Sequence, residues 1–291
     1  MSALEEAIKK ARALSCWADP QDIEPLEGGI TNVNLTLKDQ GRKYVVRFGD
    51  DIPEHGVMRF NELAISRAAA AAGISPAVHH AEAGILVLEF EEATALSEAD
   101  LHDQGTLVDV TRLVARAHRE VTVLARGPIM TFWVFHVLRD YCGFLSARNS
   151  PHIQKLPQLM QEAERLEKAV GKIDLVLGHN DLLPANILRG EDRYWLVDWE
   201  YGGFNSPLFD LGGLATNCVL PDEAERLMLK TYIGREPDTR LMQSYGAMKC
   251  ASLLRETMWS MVSELTSFID FDYLTYTETN LERYRRAYER L

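Results

Sequence analysis

Apolar residues recur at helical spacing near the start of the chain. Leu4, Ile8, Ala11 and Leu14 share one face of residues 3–17, which predicts an amphipathic helix. After Asp19-Pro20 the pattern changes. Residues 24–37 and 42–48 are short, partly alternating runs joined by Asp39-Gln40-Gly41. The β-rich stretch Lys43-Tyr44-Val45-Val46-Arg47-Phe48 behind that turn predicts a hairpin. Alanine-rich residues 61–72 predict a helix stopped by Gly73. Residues 77–80 and 84–90 predict two further strands.

Beyond Glu92 the strand signal thins. Residues 97–124 and 155–170 predict helices. Within residues 174–200, the apolar segments Leu175-Val176-Leu177 and Trp195-Leu196-Val197 flank a polar loop. From Ala224 onward the chain reads as mostly helical, ending in the charge-laced residues 281–291. There is no internal repeat, low-complexity tract or long linker. The prediction is an α+β chain in two lobes with a cleft between them. The small β-rich N-lobe, residues 1–91, is a sheet plus one helix. The larger, mostly helical C-lobe is residues 92–291, with Glu89 to Glu92 as the joint.

A length of 291 residues fits one large domain or two lobes. Cys16, Cys142, Cys218 and Cys250 are far apart and form no CxxC pair, which speaks against a zinc ribbon, a redox motif or a disulfide framework. The net charge of −12 argues against nucleic acid as a partner, because phosphate binding needs a basic footprint. It suits the steering of a cationic substrate. Residues 1–14 lack the apolar core of a signal peptide, and no run of about 18 apolar residues is present to span a membrane. The expectation is a cytoplasmic protein with no membrane partner. The apolar face of the first helix is expected to pack on its own lobe, with homodimerisation as its other use.

The most informative stretch is His179-Asn180-Asp181-Leu182-Leu183-Pro184-Ala185-Asn186-Ile187-Leu188, with Asp198 closing Tyr194-Trp195-Leu196-Val197-Asp198. Phosphoryl transfer needs a carboxylate to orient and deprotonate the attacking hydroxyl. It needs hard oxygen ligands for magnesium on the phosphates, and rigid positioning of both. A D-x-x-x-x-N loop followed by an Asp on a short hairpin supplies these parts, at the spacing of the protein-kinase catalytic loop. Asp181 is then the base. Asn186 and Asp198 are the Mg2+ ligands, both oxygen donors as that ion prefers. His179 reads as a structural residue holding the loop.

The segment from His179 to Asp210 resembles the choline/ethanolamine kinase family, in the aminoglycoside-phosphotransferase branch of the protein-kinase-like fold. Asp198-Trp199-Glu200-Tyr201, then Asn205 and Phe209-Asp210, is similar to that family's D-[FW]-E-Y…N…F-D pattern. Gly28-Gly29-Ile30-Thr31-Asn32-Val33-Asn34 resembles its G-G-x-[ST]-N-x-N nucleotide loop. There glycines let backbone amides approach phosphates, while Thr31, Asn32 and Asn34 add side-chain groups. The resemblance implies an ATP- and Mg2+-dependent kinase of a small cationic alcohol, choline or ethanolamine. It places Arg47 on the α- and β-phosphates, a role that suits bidentate arginine, with Glu62 pairing to fix it. It makes Leu86-Val87-Leu88-Glu89-Phe90-Glu91 the hinge strand, with backbone groups of Glu89, Phe90 and Glu91 at the adenine edge.

The resemblance further implies that Trp259, Tyr276 and Tyr201 form an aromatic box for the ammonium, with Glu200 as counter-charge. The segment Ile269-Asp270-Phe271-Asp272-Tyr273 belongs to the same region. Two departures stand out. Eukaryotic choline kinases tend to carry a second Trp where this chain has Glu256, and a Glu where it has Asn217. The box is then thinner, or rebuilt from residues such as Trp133 or Phe135, and Glu256 would suit a primary ammonium. Thiamine and aminoglycosides remain alternative acceptors. A non-catalytic kinase-like binding protein is the alternative from another class.

Overall fold

A computed structural model of the chain describes residues 3–26, 32–267, 269 and 271–291. The first helix, α1, spans Ala3–Arg12 and ends earlier than the apolar spacing predicts. Backbone amides of Ala13 and Leu14 turn back onto Lys10 and Ala11, and the Trp17 indole donates to the Ala11 carbonyl at 2.9 Å. These bonds occupy carbonyls that a longer helix would need.

Strands β1 (Gln21–Pro25), β2 (Val33–Asp39), β3 (Arg42–Phe48), β4 (Val78–Glu82) and β5 (Ile85–Glu89) form one sheet in the order β1-β2-β3-β5-β4. Every neighbouring pair is antiparallel. The predicted hairpin is β2–β3, and its turn holds Gln40 and Gly41 at positive φ. Leu35, Leu37, Tyr44, Val46 and Val87 pack with Ala7, Ala11 and Leu14 as a small core, so the apolar face of α1 covers its own sheet. Strand period two then puts Arg47 on the face opposite Val46.

Helix α2 spans Arg59–Ala71. It starts two residues before the predicted position because Asp51 accepts the Arg59 amide at 2.7 Å, standing in for an N-cap. Asn61 ties α2 across the lobes, donating to the Gly202 carbonyl at 2.8 Å and accepting from the Met130 amide at 2.9 Å.

The remainder is mostly helical. It comprises β6 (Thr94–Ala95), α3 (Gln104–Leu124), α4 (Val134–Ala147), α5 (Leu156–Val170), β7 (Val176–Gly178), β8 (Ile187–Arg189), β9 (Tyr194–Leu196), β10 (Gly203–Asn205), α6 (Pro207–Asn217), α7 (Asp222–Ile233), α8 (Thr239–Thr266) and α9 (Tyr273–Tyr288). Helices α4 and α6 go beyond the expected elements. Helix α8 runs through the middle of the larger core, against α4, α5, α6 and α9. Its buried residues include Tyr245, Met248, Leu254, Met258 and Val262, so it shows no single apolar face. Its mid-section carries Arg255, Glu256 and Trp259 into the region behind the β7–β8 loop. Among the described residues no helix is long and apolar enough to cross a membrane.

Candidate active site

The loop between β7 and β8 carries Asp181 and Asn186, and its shape is imposed from α6. Asp210, 2% exposed, accepts the backbone amides of His179 at 2.7 Å and Asn180 at 2.6 Å, and a third bond from His118 Nε2 at 2.8 Å. Burial alone would raise this carboxyl. Hydrogen bonding and charge from His118, with the loop amides, more than offset it and hold the pKa below its ordinary value. Asn180 sits at φ +64°, where asparagine is one of the tolerated residues. Its side chain donates to the carbonyls of Tyr201 and Gly203 at 3.0 and 3.1 Å. A Cβ at Gly178 would lie 3.0 Å from Asn180 Oδ1 and 3.2 Å from Asp210 Oδ2, so a larger residue there would crowd both side chains. His179 is buried and donates through Nε2 to the Val197 carbonyl at 2.8 Å, packing on Trp199. It serves as a strut within the loop.

Asp181 follows at the cleft, its side chain 20% exposed. Asn186 donates to the Asp181 carbonyl at 3.0 Å through its amide nitrogen, and its amide oxygen takes no part in that bond. Asn186 also accepts the Val197 amide on its own carbonyl, at 3.0 Å, bringing Asp198 alongside. Asp198 adopts φ +69°. Desolvation pushes Asp181 up to about 8. Arg255, with Nη1 4.0 Å away, pulls it down, and Glu256, Asp198 and Glu200 add to the rise. Asn186 and Asp198 offer one amide oxygen and one carboxylate, a hard-oxygen set that fits magnesium and suits no soft metal.

A second cluster lies where the sheet meets this loop. Arg47 reaches Glu62 through Nη1 at 2.8 Å, and Asp198 and Glu200 through Nη2 at 2.8 and 2.6 Å. The expected Arg47–Glu62 pair is therefore present. Arg59, which sequence reasoning did not single out, joins Glu62 at 2.7 Å, Glu200 at 3.2 Å and Asn32 Oδ1 at 2.8 Å. Asn32 in turn donates to Glu200 at 3.1 Å. Glu200, expected beside the acceptor, is placed here instead, 4% exposed and against two guanidinium groups. Burial opposes its ionisation, but Arg47 and Arg59 win and lower its pKa. Asn34 lies on β2 opposite Arg47. Gly28, Gly29 and Thr31 fall outside the described residues, as does Asp270. Of the hinge groups, the amides of Glu89 and Phe90 bond to the Ala77 and Lys43 carbonyls at 2.9 and 3.0 Å. Those two amides serve the sheet.

On the other side of Asp181 a cleft of about 400 Å³ is lined by Asp181, Asn217, Ser252, Arg255, Glu256 and Arg283, among others. Trp259, Tyr276 and Tyr201 come together behind Glu256, though none of the three lines this cleft. Trp259 Nε1 donates to the Tyr201 hydroxyl at 3.0 Å, and the Trp259 and Tyr276 rings are 6.5 Å apart, edge to face. Trp133 and Phe135 do not rebuild the box. They pack on each other, and Trp133 donates to Glu167 of α5 at 2.8 Å. Asn217 donates to the Leu182 carbonyl at 3.1 Å, bracing the residue after Asp181. Sequence reasoning missed Arg255, Arg59, His118 and the strut role of Asp210. A buried arginine beside an acidic residue on an apolar helix was the one available signal for Arg255.

The fold agrees with the comparisons to known proteins. A family model described as "Choline/ethanolamine kinase" matches residues 23–245. Protein LicA of Haemophilus influenzae is 30% identical over 245 residues, covering 80% of this chain and 70% of the relative. The crystal structure of a choline/ethanolamine kinase family protein from Mesorhizobium loti superposes with a TM-score of 0.80 at 26% identity, over 97% of this chain and 94% of that one. The choline kinase LicA of Streptococcus pneumoniae shares the fold, with a TM-score of 0.82 at 21% identity and full coverage of both chains at 100%.

Proposed function

The chain belongs to the choline/ethanolamine kinase family, and from that premise we propose that it moves the γ-phosphoryl group of ATP to the hydroxyl of a small cationic alcohol, choline or ethanolamine. The products are the phosphomonoester and ADP. The observation that carries this reading is the convergence of Asp181, Asn186 and Asp198 on one edge of a cleft, with Arg47 and Arg59 on its nucleotide side.

Asp181 lies where the acceptor hydroxyl would enter and takes its proton as the oxygen attacks phosphorus. The raised pKa suits a base working near neutral pH. Arg255 limits the rise and keeps the carboxylate accessible. Asn186 and Asp198 would hold Mg2+, which when bound neutralises charge on the transferring phosphates. Arg47, held by Glu62 through Nη1 and by Asp198 and Glu200 through Nη2, would exchange carboxylate contacts for the α- and β-phosphates. Asp210, Asn180 and His179 hold the loop rigid, which is where such catalysis draws most of its rate. A non-catalytic binding protein would have no need of this base, ligand pair and phosphate cation in one register.

The test is product identification. Purified protein incubated with Mg-ATP and choline or ethanolamine should yield the corresponding phosphomonoester, seen as a new 31P resonance growing in step with ADP. Growth of inorganic phosphate alone would mean that no alcohol is phosphorylated.

A further inference from the structure

A quaternary ammonium has no N–H to offer, so a site for it consists of open aromatic faces. The aromatic residues are present here, but their faces are taken. Arg255, 4% exposed, sets its guanidinium carbon 4.4 Å from the centre of the Tyr201 ring and 5.6 Å from that of Phe132. Its Nε and Nη2 make no hydrogen bond of ordinary geometry among the described residues, so that part of the group meets these ring faces and the neighbouring Tyr141 hydroxyl. Trp259 is walled in by His55, Tyr273 and Tyr276. Glu256, 24% exposed, faces the cleft instead, and Asp181 is a further carboxylate that lines it, beside Arg255 and Arg283. One of its oxygens accepts from the Tyr276 hydroxyl at 2.7 Å and the other from Arg255 Nη1 at 3.0 Å. Each oxygen keeps a further lone pair, and the two neighbours hold the carboxylate in place for a donor arriving from the cleft.

We propose that Arg255 and Glu256 are the specificity-determining pair of this site, and that they restrict the acceptor to alcohols whose cationic nitrogen carries at least one N–H. Arg255 is the resident cation on the aromatic face, and Glu256 receives the N–H of the substrate. The class is a protonated primary, secondary or tertiary amine, in preference to a quaternary ammonium. The inference rests on the amino-alcohol kinase reading above. A charge-assisted N–H···O bond is about twice as strong as a neutral one. A site built around such a donor disfavours the analogue that lacks it, because the carboxylate is then desolvated against methyl groups and keeps the charge attraction without the hydrogen bond.

The experiment is kcat/KM of the full chain with Mg-ATP along one series: ethanolamine, N-methylethanolamine, N,N-dimethylethanolamine and choline. All four carry the same primary hydroxyl, and only the last lacks an N–H. The expected result is turnover of the first three and a fall of at least about tenfold on the final methyl group. Glu256→Gln should flatten that step by lowering the three amines about tenfold more than choline. Arg255→Met should raise choline relative to ethanolamine by freeing the Tyr201 face. Choline used as well as dimethylethanolamine by the unmodified protein overturns the inference and leaves the kinase reading standing. So does a Glu256→Gln variant that keeps the step. Turnover of none of the four, with Mg-ATP bound, overturns both.

Discussion

Replacing Asp210 with alanine should cost both stability and rate, because this one carboxylate shapes the catalytic loop. It accepts three bonds, at 2.7, 2.6 and 2.8 Å, from the His179 and Asn180 amides and from His118. Hydrogen bonds to a charged group contribute about 1.5–3 kcal/mol each, and buried donors left bare cost a similar amount. Three such bonds, less some relaxation and entry of water, give a loss of roughly 4–6 kcal/mol. That is a large share of the roughly 5–15 kcal/mol that holds a domain together. Asp210→Asn keeps the size but turns one acceptor into a donor facing a donor, so about half of the loss is expected. The sign with pH follows from the depressed pKa of Asp210. Its contribution is present above the ordinary carboxylate value near 3.8 and is lost as pH falls through the lower folded value. The deficit of the alanine variant should therefore be constant from pH 6 to 8 and shrink in strong acid. Urea unfolding gives the stability. Steady-state kinetics gives the rate, where a loop shift of an ångström should cost about 10²-fold in kcat. An alanine variant within about 1 kcal/mol of the parent, or with the parent kcat, would refute the strut role.

Arg47→Met leaves Glu62 and Glu200 with Arg59 alone; a loss of about 3–5 kcal/mol is expected, with nucleotide affinity falling in parallel, checked by unfolding and by nucleotide titration. Arg47→Lys should recover part of the stability and little of the affinity, since a point charge cannot span Glu62 and Asp198 together. Ser75→Ala strands the Trp199 indole, which donates to the Ser75 hydroxyl at 2.7 Å, and the Leu196 carbonyl; a cost of roughly 1–3 kcal/mol should appear in thermal unfolding. Asp181, raised from 3.8 to about 8, contributes stability below pH 3.8 that is lost as pH rises to about 8. Without magnesium, Asp181→Asn should thus unfold at a higher temperature than the parent, by a margin that widens from pH 5 to pH 8. A margin that does not change with pH would mean that Asp181 is not desolvated.

Much of the site could be read directly because its chemistry is local. Asp181 and Asn186 lie on one loop, and the Asn186 carbonyl binds the Val197 amide, which brings Asp198 beside them. Arg47 and Glu62 were placed by the family resemblance, on the third strand and on the helix that follows it. What could not be read depends on segments distant in sequence. Glu200 is two residues from Asp198, and nothing local says whether it faces nucleotide or acceptor. With Asp198 at φ +69°, it meets Arg47 and Arg59. Arg59 matters only because α2, the Asn32 segment and the Asp198 segment meet. Arg255 sits on a helix surrounded by others, so its sequence lacks the two-faced pattern that would show which residues turn toward the loop. The ending of α1 at Arg12 was set by Trp17, whose indole takes a helix carbonyl, a contact that apolar spacing does not report.

The most direct measurement is acceptor-dependent ADP release from Mg-ATP by the parent and by Asp181→Asn, with nucleotide binding measured on both. With ethanolamine or choline as acceptor, the parent should turn over. The variant should lose about 10²–10⁴-fold, the contribution of a positioned general base, while binding Mg-ATP as the parent does. A variant that keeps near-parental turnover, or a parent whose ADP release ignores the alcohol, would contradict a kinase mechanism built on Asp181.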